Sequence, residues 1–469
     1  MQAFGKLLHT YLKNNHSYSI SAFAKEIGIS AGLLNHIFNS KRTMCPDKFL
    51  LTVNSPIFDL NEREELRDAY FIERYGEKDY KKIRLICDTV QRFNFGSVSE
   101  ITDCTNIKSK GFGELVSGKE VASAIKELFA STQNVIYTNI HHSNNTINDV
   151  LYHLKKSYPS CGMVRFISSF SAKVTDKSLT TLFSIVRFAK AGVNTVSVER
   201  SEFEHLDRTT LFPYFVISDN MLILLDSNSE KGVAFCGGEI IADKYQISAN
   251  VAKAAKSVVT YFKNELEAVN YIINYENDKI YALKSTPCFL SVDDLDYLYK
   301  ADSDYPDKDD FISFLKHRRT DKQWHNICTQ AGFEEFIETG KTYELSEAFV
   351  KSFPLEARKM FLRTMIDTLE KDKVYHNAFF DRSINFSEFF SNIEIVVYDN
   401  SCIITSIPDN PDGSNFLSEI TLHITGGEFL KICKILLSDY LPISGVLLSK
   451  QTALHYLKGL EIELQRRSE

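Results

Sequence analysis

Long apolar runs are missing from this chain of 469 residues. None approaches the roughly 18 consecutive apolar residues of a membrane-spanning helix, so no membrane partner is expected. No secretory leader is legible at the start, which points to a cytoplasmic protein. Proline and glycine are sparse, at 10 and 20, and no low-complexity tract occurs, which argues against extended disorder. Cys-x-x-Cys pairs are absent, and the nine cysteines are an odd number without regular spacing. Mostly buried, reduced thiols are therefore expected, not a disulfide framework or a zinc ribbon. What remains is ordinary globular composition, 44% hydrophobic and 25% charged, with only one tryptophan. A chain this long holds roughly two to four domains.

Acidic residues are also scarce at one end. Residues 1–58 carry Lys6, Lys13, Lys25, Lys41, Arg42 and Lys48 against Glu26 and Asp47 alone, a net +4. The whole chain is −7, so the rest carries −11. A basic N-terminus on an acidic body suggests a polyanion partner that meets only that end.

Within this basic end, residues 20–42 have the spacing of two helices that cross steeply. Such a crossing needs a small residue at the contact and a glycine where the chain reverses; Ala24 and Gly28 stand in those places. Phe23, Ile27, Ile29, Leu34 and Ile37 fall where both helices would bury them. Ser30 can cap the second helix. Its outward residues Ala31, Gly32, Asn35, His36 and Asn39 are short or polar, and Lys41-Arg42 follows directly. Phe23-Ala24-Lys25-Glu26-Ile27-Gly28-Ile29-Ser30, with Leu34-Asn35-His36-Ile37-Phe38-Asn39-Ser40-Lys41-Arg42, resembles the lambda-repressor/Cro-like (XRE-type) helix-turn-helix family. That resemblance covers residues 17–70. It implies that the second motif helix enters the major groove of double-stranded DNA. The base readers would then be Ser30, Ala31, Gly32, Asn35 and His36, with Asn39, Lys41 and Arg42 on the backbone. Two places depart from the family: Ile20 or Ser21 stands where a Gln or Thr phosphate clamp is usual, and Ser40 where glycine commonly precedes Lys-Arg.

Behind this motif the pattern predicts a multidomain α+β protein: an N-terminal all-α helix-turn-helix domain, a middle α/β sandwich and a C-terminal α+β domain. The expected boundaries are 1–80, a helical connector at 81–115, a sensor-like unit at 116–290 and a last unit at 311–469. In the N-terminal unit, Asn61 reads as a helix cap with Glu64 three residues on. In the middle unit, strands at 135–140, 163–168 and 193–198 alternate with helices at 121–128, 147–156 and 179–189. A hairpin turning at Asp219-Asn220 and a long helix over 250–274 close it. This alternation predicts a mainly parallel sheet. An Asp-rich run, 293–310, marks the next boundary. Beyond it, helices are expected near 311–317, 346–350, 354–370, 427–437 and 449–465, with strands at 393–398, 402–407 and 419–424. Both regions hold a hairpin followed by a long helix, which leaves distant duplication open, although no residue-level repeat is legible.

The middle region also resembles, through Ala122–Ile140, Ala189-Lys190-Ala191-Gly192-Val193 and Phe215-Val216-Ile217-Ser218-Asp219-Asn220, the catalytically empty phospholipase-D-like sensor domains of some microbial regulators. Active members carry His-x-Lys-x4-Asp; no such spacing occurs here, so the resemblance implies a binding version. His141, His142, Asp149 and His153 are the nearest thing to a metal set, but adjacent histidines at a strand end point apart, and no metal is expected. Gly237-Gly238 and Gly426-Gly427 lack the Lys-Ser/Thr of a phosphate loop and read as turns. Cys104 and Cys161 have no cation cluster beside them to make them reactive. No cofactor is implied, and no nucleophile–base set can be assembled.

The expectation is thus a sequence-specific transcriptional regulator, not an enzyme, binding DNA as a homodimer. Its acidic body would answer a small-molecule or peptide effector at the strand ends near 139–143, 168–171 and 199–201. The alternatives are a DNA-targeted nuclease or hydrolase, and a protein-interaction adaptor using the helical fold.

Overall fold

The computed structural model describes residues 3–93, 113–141, 144–168, 172–198, 211–262, 267, 271, 279–284, 323–341, 352–371, 377–381, 393–406 and 419–466. Within these the chain is a multidomain α+β protein, an N-terminal helical unit followed by two sheets. The Asp-rich run, the expected helices at 311–317 and 346–350, and Cys104 lie outside the described residues.

Six helices come first: α1 (Phe4–Thr10), α2 (Ile20–Glu26), α3 (Ala31–Phe38), α4 (Pro46–Val53), α5 (Leu60–Tyr75) and α6 (Glu77–Arg92). A wider turn, Tyr11–Asn15, prolongs α1. Their apolar faces bury Phe4, Leu8, Phe23, Leu34, Phe49, Leu66 and Phe71 in one core. The cap of α5 is Asp59, not Asn61: Asp59 accepts from the Glu62 N–H and Glu62 answers on the Asp59 N–H, a reciprocal capping box. The box sits two residues earlier than the apolar rhythm suggests. α5 also stops at Gly76 (φ 81°), where α6 starts anew.

The same Glu62 ties α5 to the end of the first helix. It accepts from Asn15 Nδ2 at 2.9 Å and contacts His16 Nε2 at 2.7 Å. Burial pushes this carboxyl up, but the hydrogen bonds from Asn15, His16 and the Asp59 amide outweigh burial and hold it below the ordinary range. A carboxylate whose folded pKa is depressed stabilises the fold above its unfolded pKa and loses that contribution as pH falls through the folded value. Glu62→Gln is therefore expected to cost about 2 kcal/mol at neutral pH and much less in acid. Hydrogen exchange of the α1 and α5 amides in the full chain at the two pH values checks this; an equal loss at both would contradict it.

The first sheet has eight strands in the order β1-β7-β6-β5-β2-β3-β4-β8. They are β1 (Glu114–Ser117), β2 (Ile136–Thr138), β3 (Met163–Ser168), β4 (Val193–Val198), β5 (Tyr214–Ile217), β6 (Met221–Leu225), β7 (Lys231–Cys236) and β8 (Lys256–Ser257). Only β2, β3 and β4 run parallel, connected by α8 (Asn145–Ser157) and α9 (Asp176–Lys190); the other pairings are antiparallel. The expected mainly parallel sheet is thus a mixed one. α7 (Lys119–Ser131) leads into β2, and α10 (Glu239–Ala254) follows β7. The expected helix over 250–274 is also corrected: α10 ends at Ala254, and β8 and β9 (Thr260–Phe262) follow.

The second sheet has seven strands, β12-β11-β10-β13-β14-β15-β9. These are β10 (Lys279–Lys284), β11 (Gln323–Cys328), β12 (Asn377–Phe379), β13 (Glu394–Val397), β14 (Ser401–Ser406) and β15 (Glu419–Thr425), with β9 on the edge. Its parallel trio β10, β11, β12 and its meander β13, β14, β15 repeat the trio β2, β3, β4 and the meander β5, β6, β7 of the first sheet. β9 caps β15 antiparallel, as β1 caps β7. Apart from β8, which has no counterpart, the two sheets therefore have the same strand order, and the duplication that the residues alone did not reveal is topological. It also leaves two echoes in the residues. Both meanders turn at Asp-Asn (219–220 and 399–400), and both end in Gly-Gly-Glu (237–239 and 426–428) before a helix.

α11 (Gln330–Thr339), α12 (Leu355–Lys371) and the terminal α14 (Lys450–Arg466) form a separate core around Phe333, Phe361 and Leu457. α13 (Gly427–Ile435) continues through Leu436–Tyr440 and carries the helical unit. Arg74 donates twice to Asp439 at 2.8 Å, Lys431 donates to Asp79 at 2.6 Å, and Lys82 pairs with Glu428. The Phe71 and Tyr440 rings meet at 4.8 Å inside this ring of ion pairs.

Candidate nucleic-acid interface

α2 and α3 are held at a fixed angle by local contacts. Ser19 and Ser30 cap the two helices, Ser30 Oγ accepting from the Leu33 N–H at 3.1 Å. Gly28 turns the chain at φ 68°, a left-handed conformation that glycine adopts without strain, and the Ile29 N–H then reaches the Ala24 carbonyl at 2.9 Å. Phe23, Ile27, Leu34 and Ile37 are buried, as their spacing predicts, and so is Ala24 at the crossing; Ile29, expected with them, is only partly buried.

The outward face is open. Ser30, Gly32, Asn35, His36, Asn39, Lys41 and Arg42 are exposed and Ala31 is partly so. Ser30 and Asn39 are nonetheless engaged: Ser30 in its cap, and Asn39 Nδ2 in donating to the Asn35 carbonyl at 2.8 Å. Ser40 adopts φ 55°, a left-handed backbone that glycine favours, just before Lys41-Arg42. Glu26, the acid at the end of α2, accepts from Ser55 Oγ at 2.7 Å and from the Tyr18 hydroxyl at 3.3 Å. Lys48 was not expected here. Its ammonium lies over the Gly28 turn, where an added Cβ would meet Nζ at 3.0 Å. The only sequence signal for it was a cation in the first turn of α4. Among the described residues, the body's ion pairs with the helical unit fall on α5 and α6 and leave α3 untouched.

Of the remaining candidates, His142 lies outside the described residues, and Asp149 and His153 share α8 beside Arg187. His141 ends the segment after β2, whereas Asp149 pairs with Arg187 on α9. Burial and Arg187 lower the His153 pKa. Among the described residues no three metal-capable side chains converge. Cys161 is buried, donates to the Asn134 carbonyl, and has its pKa pushed up by burial. Gly237, Gly238, Gly426 and Gly427 all have positive φ and serve as turns before α10 and α13.

No family model matches this chain, and no curated protein matches it. Solved structures similar to it at a low level include the following two. One is TrmBL2, an archaeal chromatin protein with a novel mode of DNA binding: 12% identity, TM-score 0.23, covering 55% of this chain and 100% of that one. The other is the phosphatidylserine synthase of Haemophilus influenzae Rd KW20: 11% identity, TM-score 0.23, covering 82% and 97%. At these values neither neighbour's activity transfers. The presence of a synthase does correct one expectation: the chain is not set down as a non-enzyme.

Proposed function

We propose that this chain is a sequence-specific DNA-binding transcriptional regulator of the cytoplasm, acting as a homodimer. The observation that supports it most is the open face of α3, with Asn35 and His36 outward and Lys41-Arg42 at its end, on a body whose ion pairs avoid that face. In this reading residues 1–80 are the DNA-binding unit, 81–115 the connector, and 116–290 and 311–469 the units that sense and assemble. Ser30, Ala31, Gly32, Asn35 and His36 face base edges; Asn39, Lys41 and Arg42 face phosphates. One such helix contacts too few base pairs for strong specificity, so two copies on a near-palindromic site are required.

Gel-shift of the purified chain on fragments of its own promoter region tests this. A specific shift is expected, lost in the Asn35→Ala/Arg42→Ala double variant. No shift on any fragment, or a shift the double variant retains in full, would overturn the reading.

A further inference from the structure

An apolar cavity lies where the helical unit meets both sheets. α6 contributes Cys87 and Val90 to its wall, α9 contributes Phe183, the second sheet contributes the cross-strand pair Leu283 and Ile395, and α13 contributes Cys433. The space free to a water-sized sphere is about 20 Å³. One water needs roughly 10–15 Å³ of such space together with two to four polar partners. Among the described residues the wall offers no polar surface, so the space suits an apolar guest and not water. A charged guest finds no counterion there either. Both thiols stay protonated, since burial pushes Cys87 up to about 12 and raises Cys433 well above its ordinary value.

A void inside a single core is fixed by the packing around it, whereas this one lies on a seam. The seam is bordered by the ion pairs of Arg74 with Asp439, Lys431 with Asp79 and Lys82 with Glu428, all partly exposed. Ion pairs that reach water add little stability, so they resist a small displacement weakly. Glu428 also accepts from the Val174 N–H at 2.9 Å, just ahead of α9, so one carboxylate touches the helical unit and the approach to the first sheet's helix. The chain itself is irregular at the wall. Leu436 and Leu437 line the cavity from a segment, Leu436–Tyr440, wound as a π-helix, a rare form that is frequent at functional sites.

We propose that this cavity is an effector site for a small, uncharged, apolar molecule, which enters between α6 and α13 and parts the helical unit from the second sheet as far as its size requires. A guest the size of a xenon atom fits without movement. An aromatic hydrocarbon does not, and must widen the seam. Because α6 shares its core with the other helices of the unit, widening shifts the whole helical unit against the body. Calling the guest an effector rests on the regulator reading; its binding does not.

Xenon, followed by xenon NMR in the presence of the full chain, probes the cavity as it stands. Saturable binding is expected, weakened at least tenfold in Val90→Ile, which adds one methylene to the wall and should leave thermal stability unreduced. Toluene, titrated into the full chain by calorimetry, probes the widening. One saturable site is expected, with amide exchange accelerated in α6 and unchanged in the central strands of both sheets, and Val90→Ile should suppress both effects. Lys41→Gln/Arg42→Gln should bind both probes as the wild-type chain does. Failure of xenon or of toluene to bind saturably would overturn the proposal. So would equal binding in Val90→Ile, a Val90→Ile chain that is destabilised because the space is already filled, or toluene binding that leaves α6 exchange unchanged. None of these measurements includes DNA, so their failure is distinct from failure of the regulator reading.

Discussion

Exchanging Lys41 and Arg42 for glutamine is expected to lower the slope of log affinity against log salt by about 2. Each cation that neutralises one backbone phosphate releases one condensed counterion, with a slope of about 0.9 per phosphate on duplex DNA. Both side chains are exposed and outside the ion pairs found among the described residues, so neither loses a protein partner on substitution. The fold should therefore be untouched and the effect read cleanly from binding. Affinity at low salt should fall steeply while preference among sequences stays nearly constant, because phosphate contacts position and base contacts specify. Asn35→Ala should do the converse, flattening the preference at one base step by ~1–3 kcal/mol with the salt slope intact. Fluorescence anisotropy over a salt series, on a specific and a scrambled duplex, measures both quantities. A slope unmoved by the double substitution would remove these residues from the interface. Lys48, whose ammonium overhangs the Gly28 turn, would then be the next cation to replace.

The helix-turn-helix was legible because its signals are local. A cap, a small contact residue, a left-handed glycine and an apolar register all lie within about two dozen residues. Strands with alternating or continuous apolar character were legible for the same reason: β3, β4 and β6 stand where the pattern put them. What failed was whatever depends on partners distant in sequence. β1, β7, β10, β11 and β12 carry no strong period of their own and become strands through their neighbours. The stretch 256–262 has enough apolar residues to read as helix, yet it supplies an edge to each sheet. The duplicated strand order was hidden because only Asp-Asn and Gly-Gly-Glu survive at matching positions, two short motifs that turns use anyway. Arg165 was hidden in another way. Its strand was correctly placed, but nothing in Met163–Ser168 announces that a cation occupies the buried row.

On the proposed reading, Gly5→Ala is expected to disable DNA binding although Gly5 is on α1 and not among the residues proposed to contact DNA. A Cβ built on Gly5 would stand 1.9 Å from the Ile37 carbonyl oxygen, 2.6 Å from its carbon and 3.1 Å from Phe38 Cα. The obstacle is backbone, which no rotamer change relieves, so α1 and α3 must move apart. Overpacking of this kind costs roughly 1–3 kcal/mol where a core can yield. Here it must yield at the C-terminal end of α3, whose Leu34, Ile37 and Phe38 are packed into the same core as Phe4 and Leu8. Displacing that helix shifts Asn35 and His36 relative to Lys41-Arg42, and base contacts tolerate little misplacement. Gly32→Ala in α3 itself supplies the contrast. Its Cβ would meet only Ser30 Oγ, at 3.9 Å, so the substitution is expected to stabilise α3 by up to about 1 kcal/mol. Thermal unfolding should therefore move in opposite directions for the two variants. Hydrogen exchange in the full chain should localise the Gly5→Ala loss to α1 and α3, with the strands of both sheets protected as before. If Gly5→Ala bound DNA with wild-type affinity, the close crossing of α1 and α3 would not be what fixes the recognition helix.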